Sequence, residues 1–412
     1  MSDEHNDSSR VRTWEDTRAD HHRQTPKSLL HWRLNSMRIV ADPNIPFVRE
    51  AFGPLGDILL APGRQINAAT ARDADLLLVR SVTPVNAALL EGSRVRFVAT
   101  ATIGTDHIDQ ECLSQRGIGF ASAAGSNANS VAEYVVAALF ELAHRRKFSL
   151  REKILGVVGV GNVGNRVVRY TEALGMRVLP NDPPRQRAER LPQFVALDRV
   201  RAEADIITLH VPLTRDGEDA TFHLFDKRML DELTERHPIL INTARGAVVD
   251  NRALLKAVDG ERIGGAILDV WEHEPNILPE LLDVVDIGTP HIAGYSFDGK
   301  VNGVRMIYRA ACEFFGVPPT WKPQMPAPPV PRIEIDLDDL PSDVGDEDVI
   351  RHAVRTVYSI ASDDAALRRT PREFDKLRAE YPVRREFFNT ALALRNGSDA
   401  LRRKLAALGF KL

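Results

Sequence analysis

The chain has 412 residues, 43% hydrophobic and 27% charged, with a formal net charge of −3. That length accommodates two or three domains with cores of their own, and the near-neutral balance offers no basic surface for nucleic acid or an anionic membrane. Cys112 and Cys312 cannot build a disulfide framework, no CxxC pair suggests a metal, and no apolar run reaches the ~20 residues of a membrane span, so a cytoplasmic protein is expected.

Residues 1–36 are rich in Asp, Arg, His and Ser with little apolar periodicity, which predicts a disordered extension. They hold too many acids for a transit peptide and no apolar core for a signal peptide. Folding is expected to begin with a strand over Met37–Ala41, and Met37 is a candidate start. Apolar runs at Ile58–Leu60, Leu76–Val79, Phe97–Ala99 and Ile118–Ala121 alternate with amphipathic helices, the pattern of a parallel sheet covered on both faces. Ser130-Val131-Ala132-Glu133 reads as a capping box opening an apolar helix to about His144, which is expected to connect two domains.

The run from Leu150 ends in Gly159-Val160-Gly161-Asn162-Val163-Gly164, behind the apolar β-type stretch Ile154–Val158. Asn162 to Ala173 reads as the helix that follows, stopped by Gly175, and Asp182 ends the next strand, which starts at Arg177. In that context Gly159 allows a tight turn, Gly161 lets the backbone approach a pyrophosphate, and Gly164 lets helix and strand pack closely. The amides of the helix start then hold the phosphates. A carboxylate at Asp182 accepts from the adenosine ribose hydroxyls and repels the extra phosphate of NADP, so NAD is the expected cofactor. A glycine turn that served packing alone would leave Asp182 without a role.

Further strands are expected at Ile206, Ile239, Gly265 and Val285, the last leading to Pro290-His291. A helix over Phe297–Phe315 should return to the first sheet. After a proline-rich linker, Val317–Pro331, the reading is a strand Arg332–Leu337, a helix Glu347–Ala361, a strand Glu386–Leu394, and a helix Ser398–Leu408 closed by Gly409. The fold class is thus α/β, with two Rossmann-like domains built on parallel sheets and a small C-terminal α/β domain. The expected boundaries are 37–128 with 291–316 for a substrate or lid domain, 129–290 for the NAD-binding domain, 317–331 for the linker and 332–412 for the third unit. The helix Glu347–Ala361 carries an apolar stripe through Ile350, Val354, Val357 and Ile360, expected to be buried against a two-fold-related copy.

Arg245, Glu274 and His291 stand at strand ends in the later half of the NAD-binding region. In an open α/β sheet they face the cleft where the nicotinamide would lie. In this order, and in the strings Asn242-Thr243-Ala244-Arg245-Gly246, Trp271-Glu272-His273-Glu274-Pro275 and Pro290-His291-Ile292-Ala293-Gly294-Tyr295, the chain resembles the D-isomer-specific 2-hydroxyacid dehydrogenases. The resemblance implies that these three residues are catalytic, and the chemistry is coherent. Oxidising a 2-hydroxy acid needs a base for the hydroxyl proton, and a histidine titrates near neutrality. A carboxylate on the other ring nitrogen orients the imidazole and stabilises its protonated form, and a guanidinium binds the substrate carboxylate. Any one of twelve histidines is more commonly structural than catalytic, and His273, beside Glu274, is a competing partner for that acid; His107 and His210 read as structural or peripheral. Asp269, at its strand end, is expected on the nicotinamide side of the cofactor.

A narrower resemblance is to the 4-phosphoerythronate dehydrogenases of the vitamin B6 route, within the same family. It rests on Val79-Arg80-Ser81-Val82-Thr83, Thr100–His107, Asn181-Asp182-Pro183-Pro184-Arg185, His291–Tyr295 and Glu373–Arg378, and covers Met37 to nearly Leu412. It implies substrate contacts from Ser81, Thr102 and Tyr295, with Arg80 as an additional anion anchor. It also implies cofactor contacts from Asn162, Val163, Val211 and Gly294 beside the glycines, Asp182 and Asp269. Val211 stands where relatives often carry threonine, which puts only its side-chain contact in doubt. The third unit resembles that group's dimerisation domain, so a homodimer is expected, with Arg378, Arg384 or Arg385 available to a partner's active site. The substrate implied is a small phosphorylated hydroxy acid, 4-phospho-D-erythronate, oxidised at the expense of NAD. The alternatives are another small 2-hydroxy acid such as 3-phosphoglycerate, or an NAD-sensing binding protein on the same fold.

Overall fold

The computed structural model describes residues 37–233 and 236–412; the expected N-terminal extension lies outside the described residues. The first sheet holds β1 (Met37–Ala41), β2 (Gly56–Leu60), β3 (Leu76–Val79), β4 (Phe97–Thr100) and β5 (Gly119–Ser122), in the order β2-β1-β3-β4-β5. All pairs are parallel. The strands β3 and β4 are buried along their whole length because both faces are covered. Edge strand β2 alternates between half-buried and exposed. The helix Phe297–Phe315 returns as expected and packs Val304, Ile307, Tyr308 and Ala311 against Ile39, Leu76 and Phe97.

The second sheet holds β6 (Ile154–Val158), β7 (Arg177–Asn181), β8 (Ile206–Leu209), β9 (Ile239–Asn242), β10 (Gly265–Leu268) and β11 (Ile287–Gly288), in the order β11-β10-β9-β8-β6-β7. Strand order reverses between β6 and β8, which opens a crevice outside their carboxyl ends. The strand expected at Val285 starts two residues later, because the Val285 amide still closes the preceding helix on Leu281.

The connecting helix spans Ala128–Arg146 and is buried along most of its length. It does not begin at a Ser130–Glu133 capping box. Ser130 and Glu133 lie inside it, and their side chains are drawn to distant partners. Ser130 Oγ is 2.6 Å from both Ser296 Oγ and Glu386 Oε1, and Glu133 Oε1 accepts from the Phe387 amide at 2.9 Å.

The third unit pairs β12 (Arg332–Asp336) with β13 (Ala391–Arg395) in parallel. Two expectations there need correction. The helix ends at Val357 rather than Ala361; Tyr358 is extended and its hydroxyl bonds Asp363, and a second helix, Ile360–Arg369, starts anew. The strand expected from Glu386 begins only at Ala391, because Arg384, Arg385 and Glu386 are turned inward by buried polar partners. Arg385 grips Asp298 through Nε and Nη2 at 2.9 and 3.0 Å, and the Glu386 amide donates to the same carboxylate. Arg384 Nη2 donates to the Ser130 and Ala293 carbonyls, with its guanidinium 4.1 Å above the Tyr358 ring. Both arginines are thus engaged within their own chain, although Arg384 Nε and Nη1 are buried without a hydrogen-bond partner. The apolar stripe is likewise covered in the same chain: Ile350, Val354 and Ile360 join Val135, Leu139 and Leu142 of the connecting helix in one core.

Candidate active site

The glycine loop follows β6 as the sequence predicts. Gly159 has φ +87, and a Cβ there would press on the His210 backbone at 2.7 Å. A side chain on Gly164 would run into the Gly159 carbonyl. Gly161 instead has no protein atom within 4 Å of its Cβ position, so open space lies before the helix Asn162–Ala173. That helix presents its unpaired amides to the space, the donor set a pyrophosphate requires. Val163 is half-buried in its first turn, and the Val211 side chain lies beneath Gly159.

Asp182 stands at the end of β7, beside this loop. Its Oδ2 accepts from the Val160 amide at 2.8 Å and its Oδ1 from the Arg185 amide at 3.1 Å. The carboxylate thus fixes the loop and starts the helix Pro183–Glu189 at the same time. Arg185, the nearest cation, bonds the Val160 carbonyl and pairs with Glu189 at 2.7 Å.

His291 sits on the turn after β11, with φ 56, a left-handed conformation uncommon for a residue with a side chain. Asp269 holds the turn. Its carbonyl accepts from the His291 amide at 2.7 Å, and its buried carboxylate accepts from Thr289 Oγ1, Ile292 N and Ala293 N at 2.6, 2.7 and 3.0 Å. Burial pushes the Asp269 pKa up, opposed by His291 and these donors. Its observed contacts are thus to the turn that carries His291.

Glu274 Oε2 lies 2.8 Å from His291 Nδ1, and Glu274 Oε1 accepts from the Trp271 amide at 2.9 Å. Burial resists ionisation of Glu274, but His291, Trp271 and Arg378 together hold it below the usual carboxylate range. A neutral His291 therefore carries its proton on Nδ1 and leaves Nε2 as an acceptor. His273 is exposed on the neighbouring turn and is not the partner of Glu274.

Arg245 follows β9 and reaches across to the first sheet's loop. Its Nε is 3.3 Å from Asp106 Oδ2, Nη1 donates to the Ala244 carbonyl, and the guanidinium lies against Gly104. Asp106 is more than half exposed, so this pair is weak. Thr102 Oγ1 bonds Thr100 Oγ1 at 2.7 Å and the Gly104 carbonyl at 3.2 Å. Arg80 and Ser81 follow β3 at the same strand ends, Ser81 exposed and Arg80 half-buried. Gly294 backs onto Asn127. Among the described residues, no group of His, Cys, Asp and Glu could hold a metal. His210, wedged between Thr208 and Thr243, is pushed down to about 3 by burial, and His107 is lowered first by burial; both read as structural.

Residues 119–293 match the family described as D-isomer specific 2-hydroxyacid dehydrogenase, NAD binding domain. A protein of Chromohalobacter salexigens named erythronate-4-phosphate dehydrogenase is 46% identical over 384 residues, 91% of this chain and 99% of its own length. The chain belongs to the erythronate-4-phosphate dehydrogenase family. A protein of the same name from Salinibacter ruber is 52% identical over 292 residues, 70% of this chain and 74% of that one. Residues 325–409 match a domain of unknown function, DUF3410. Among solved structures, the D-lactate dehydrogenase of Aquifex aeolicus complexed with NAD and lactic acid superposes with a TM-score of 0.55 at 26% identity. It covers 68% of this chain and 95% of that one. As a member of this family the protein is an NAD-dependent dehydrogenase of α/β fold.

One residue that the sequence did not single out, Lys300, lies at the Tyr295 ring. Its Nζ lies 4.3 Å from the centroid of the Tyr295 ring, and the Arg378 guanidinium carbon lies 5.5 Å from the same centroid. The signal was present: Lys300 sits in the first turn of a helix, with no acid at the positions three or four away.

Proposed function

We propose that the protein oxidises 4-phospho-D-erythronate to 2-oxo-3-hydroxy-4-phosphobutanoate in pyridoxal 5′-phosphate biosynthesis, with Arg245, Glu274 and His291 as its catalytic residues. The observation that carries this reading is the His291–Glu274 pair at 2.8 Å, on a turn at the strand ends that also bear the glycine loop. NAD would be held by Gly159, Gly161, Gly164, Asn162, Val163 and Asp182, with Val211, Asp269 and Gly294 on the nicotinamide side, and when bound it supplies the hydride acceptor. The open space at Gly161 and the free amides behind it suit that group.

His291 Nε2 takes the proton of the substrate's 2-hydroxyl, and Glu274 stabilises the imidazolium that results. Arg245 exchanges its weak bond to Asp106 for the substrate carboxylate and polarises the carbonyl as it forms. Ser81, Thr102 and Tyr295 line the substrate's side of the cleft, with Arg80 as anion anchor. Residues 37–128 with 291–316 serve as the substrate or lid domain, 129–290 as the NAD-binding domain, and 332–412 as a dimerisation domain in a cytoplasmic homodimer. The exposed side chains of Val383 and Phe388, at 48% and 43%, support an interface on that last unit.

The test is NADH formation with a panel of 2-hydroxy acids. Turnover of 4-phosphoerythronate well above 3-phosphoglycerate supports the reading, a preference for 3-phosphoglycerate overturns the substrate, and no turnover of any member leaves an NAD-binding protein. Sedimentation of the full chain reads the homodimer directly; a monomer at micromolar concentration removes it.

A further inference from the structure

Two cations from separate parts of the chain, Lys300 and Arg378, meet at the Tyr295 ring, and the charge of a third, Arg80, is felt at Lys300. Arg80 follows β3 in the first sheet. Lys300 belongs to the helix that begins after the His291 turn. Arg378 comes from the helix Phe374–Ala379 of the C-terminal unit. Among the described residues neither Arg80 nor Lys300 pairs with a carboxylate. Arg378 has only Asp375, 3.6 Å away and mostly exposed, while its Nε is buried with no hydrogen-bond partner.

The Tyr295 ring carries Lys300 at 4.3 Å and Arg378 at 5.5 Å, which offsets part of the repulsion between them. The protein packed around the ammonium and the guanidinia of Arg80 and Arg378 still push Lys300 down to about 8, although its side chain stays open to cleft water. Asp375 meets only Arg378, and Glu274, which also feels Arg378, is already occupied by His291. Like charges gathered with an unsatisfied donor, and with a single exposed carboxylate 3.6 Å from one of them as counter-ion, describe a site waiting for an anion.

We propose that Lys300 and Arg378, together with Arg80, form the clamp for the substrate's terminal phosphate, and that the C-terminal unit thereby contributes a substrate-binding residue to the active site of its own chain. The inference rests on the reading of the substrate as a phosphorylated 2-hydroxy acid. A phosphate dianion offers acceptors to all three cations at once, and guanidinium and ammonium bonds to phosphate are charge-assisted. Tyr295 lies four residues beyond His291, so the clamp is borne next to the turn that carries the proton acceptor. Selectivity for the phosphorylated acid would then come from cations that are costly to leave unpaired when the phosphate is missing.

The experiment compares full-length wild type with Lys300→Met and Arg378→Met on 4-phosphoerythronate and on erythronate, with inorganic phosphate as a competing probe. Each variant should lose about 10- to 100-fold in kcat/KM on the phosphorylated acid, chiefly through KM, so that selectivity between the two substrates collapses. Inhibition by inorganic phosphate should weaken in parallel. NAD affinity, measured by fluorescence titration, should stay within about twofold of wild type and reports that each variant is folded. Lys300→Arg and Arg378→Lys should recover part of the loss, whereas a packing role would not follow charge. Wild type that does not discriminate between the two substrates defeats the phosphorylated-substrate reading and the clamp with it. Wild type that discriminates, with both Met variants discriminating equally well, defeats the clamp alone. A variant that no longer binds NAD, and is not rescued by its charge-preserving counterpart, counts against the clamp as well.

Discussion

The glycine loop and the seam beneath the C-terminal unit are both made of polar contacts, yet they are built on opposite principles. The loop is backbone and empty space: glycines that admit close approach, amides left open at a helix start, and one carboxylate, Asp182, tying the turn together. The seam is made of buried polar side chains, with Asp298, Arg385, Glu386, Arg384 and Glu133 all nearly sealed from water. One region is left unsatisfied so that a ligand can complete it. The other is paired within the chain at all but Glu133 Oε2 and Arg384 Nε and Nη1, and so fixes how the parts fit. A cleft residue should therefore fail in catalysis or binding, and a seam residue in stability.

The sharpest separation comes from His291→Ala. Turnover should fall by roughly 10²–10⁴-fold while NAD affinity and the unfolding midpoint barely move, since only a proton acceptor is lost. An unfolding midpoint lowered as far as a core substitution lowers it would make His291 structural and blur the contrast. On the other side, Arg385→Ala leaves Asp298 buried without its partner and should cost about 3–5 kcal/mol in urea unfolding. Unchanged stability in that variant would break the comparison from the seam side.

Asp182→Ala is intermediate. It should raise KM for NAD by about tenfold and narrow the preference over NADP, because the loop loses a bond at Val160 and the ribose loses an acceptor. Equal efficiency with both cofactors in wild type would show that the acid does not read the ribose. The smallest effect belongs to Glu133→Gln. Burial and then the neighbouring Glu386 raise the Glu133 pKa well above its ordinary value. The native state then holds a proton that the unfolded chain releases, so wild-type stability is full below about pH 4.5 and declines as pH rises toward the folded value. The glutamine mimics the protonated acid. Its urea midpoint should match wild type near pH 4.5 and exceed it at pH 8, and the reverse ordering would mean Glu133 is ionised in the fold.

Legibility in the sequence follows the same division. The helices Asn162–Ala173 and Phe297–Phe315 agree with the structure to the residue, because their boundaries are set by neighbours: glycines behind the first, Ser296 capping the Gly299 amide of the second. Glu274 and His291 were legible because motif strings place them at strand ends. The capping box at Ser130 misled because both of its side chains answer to residues more than 250 positions away, at Glu386 and Phe387. The third unit's broken helix misled for a related reason: the apolar spacing runs unbroken through Val357 and Ile360, while the chain is turned at Tyr358 by a bond to Asp363. Lys300 carried only the signal of a first-turn lysine without a paired acid, and its meaning depends on two other cations, one of them from the last unit.

The linker before β12 suggests a natural place for recombination, but the seam makes the last unit a poor module. A C-terminal unit exchanged between relatives would arrive with Arg384, Arg385 and Glu386, and its host would need Asn129, Ser130 and Glu133 on one helix and Ser296 and Asp298 at the start of another. Without those positions each half keeps its own secondary structure, but the junction buries charges that have lost their counterparts. Inheritance of the final residues is therefore tied to a handful of sites far upstream, and a crossover within the linker is tolerated only between parents that agree at them.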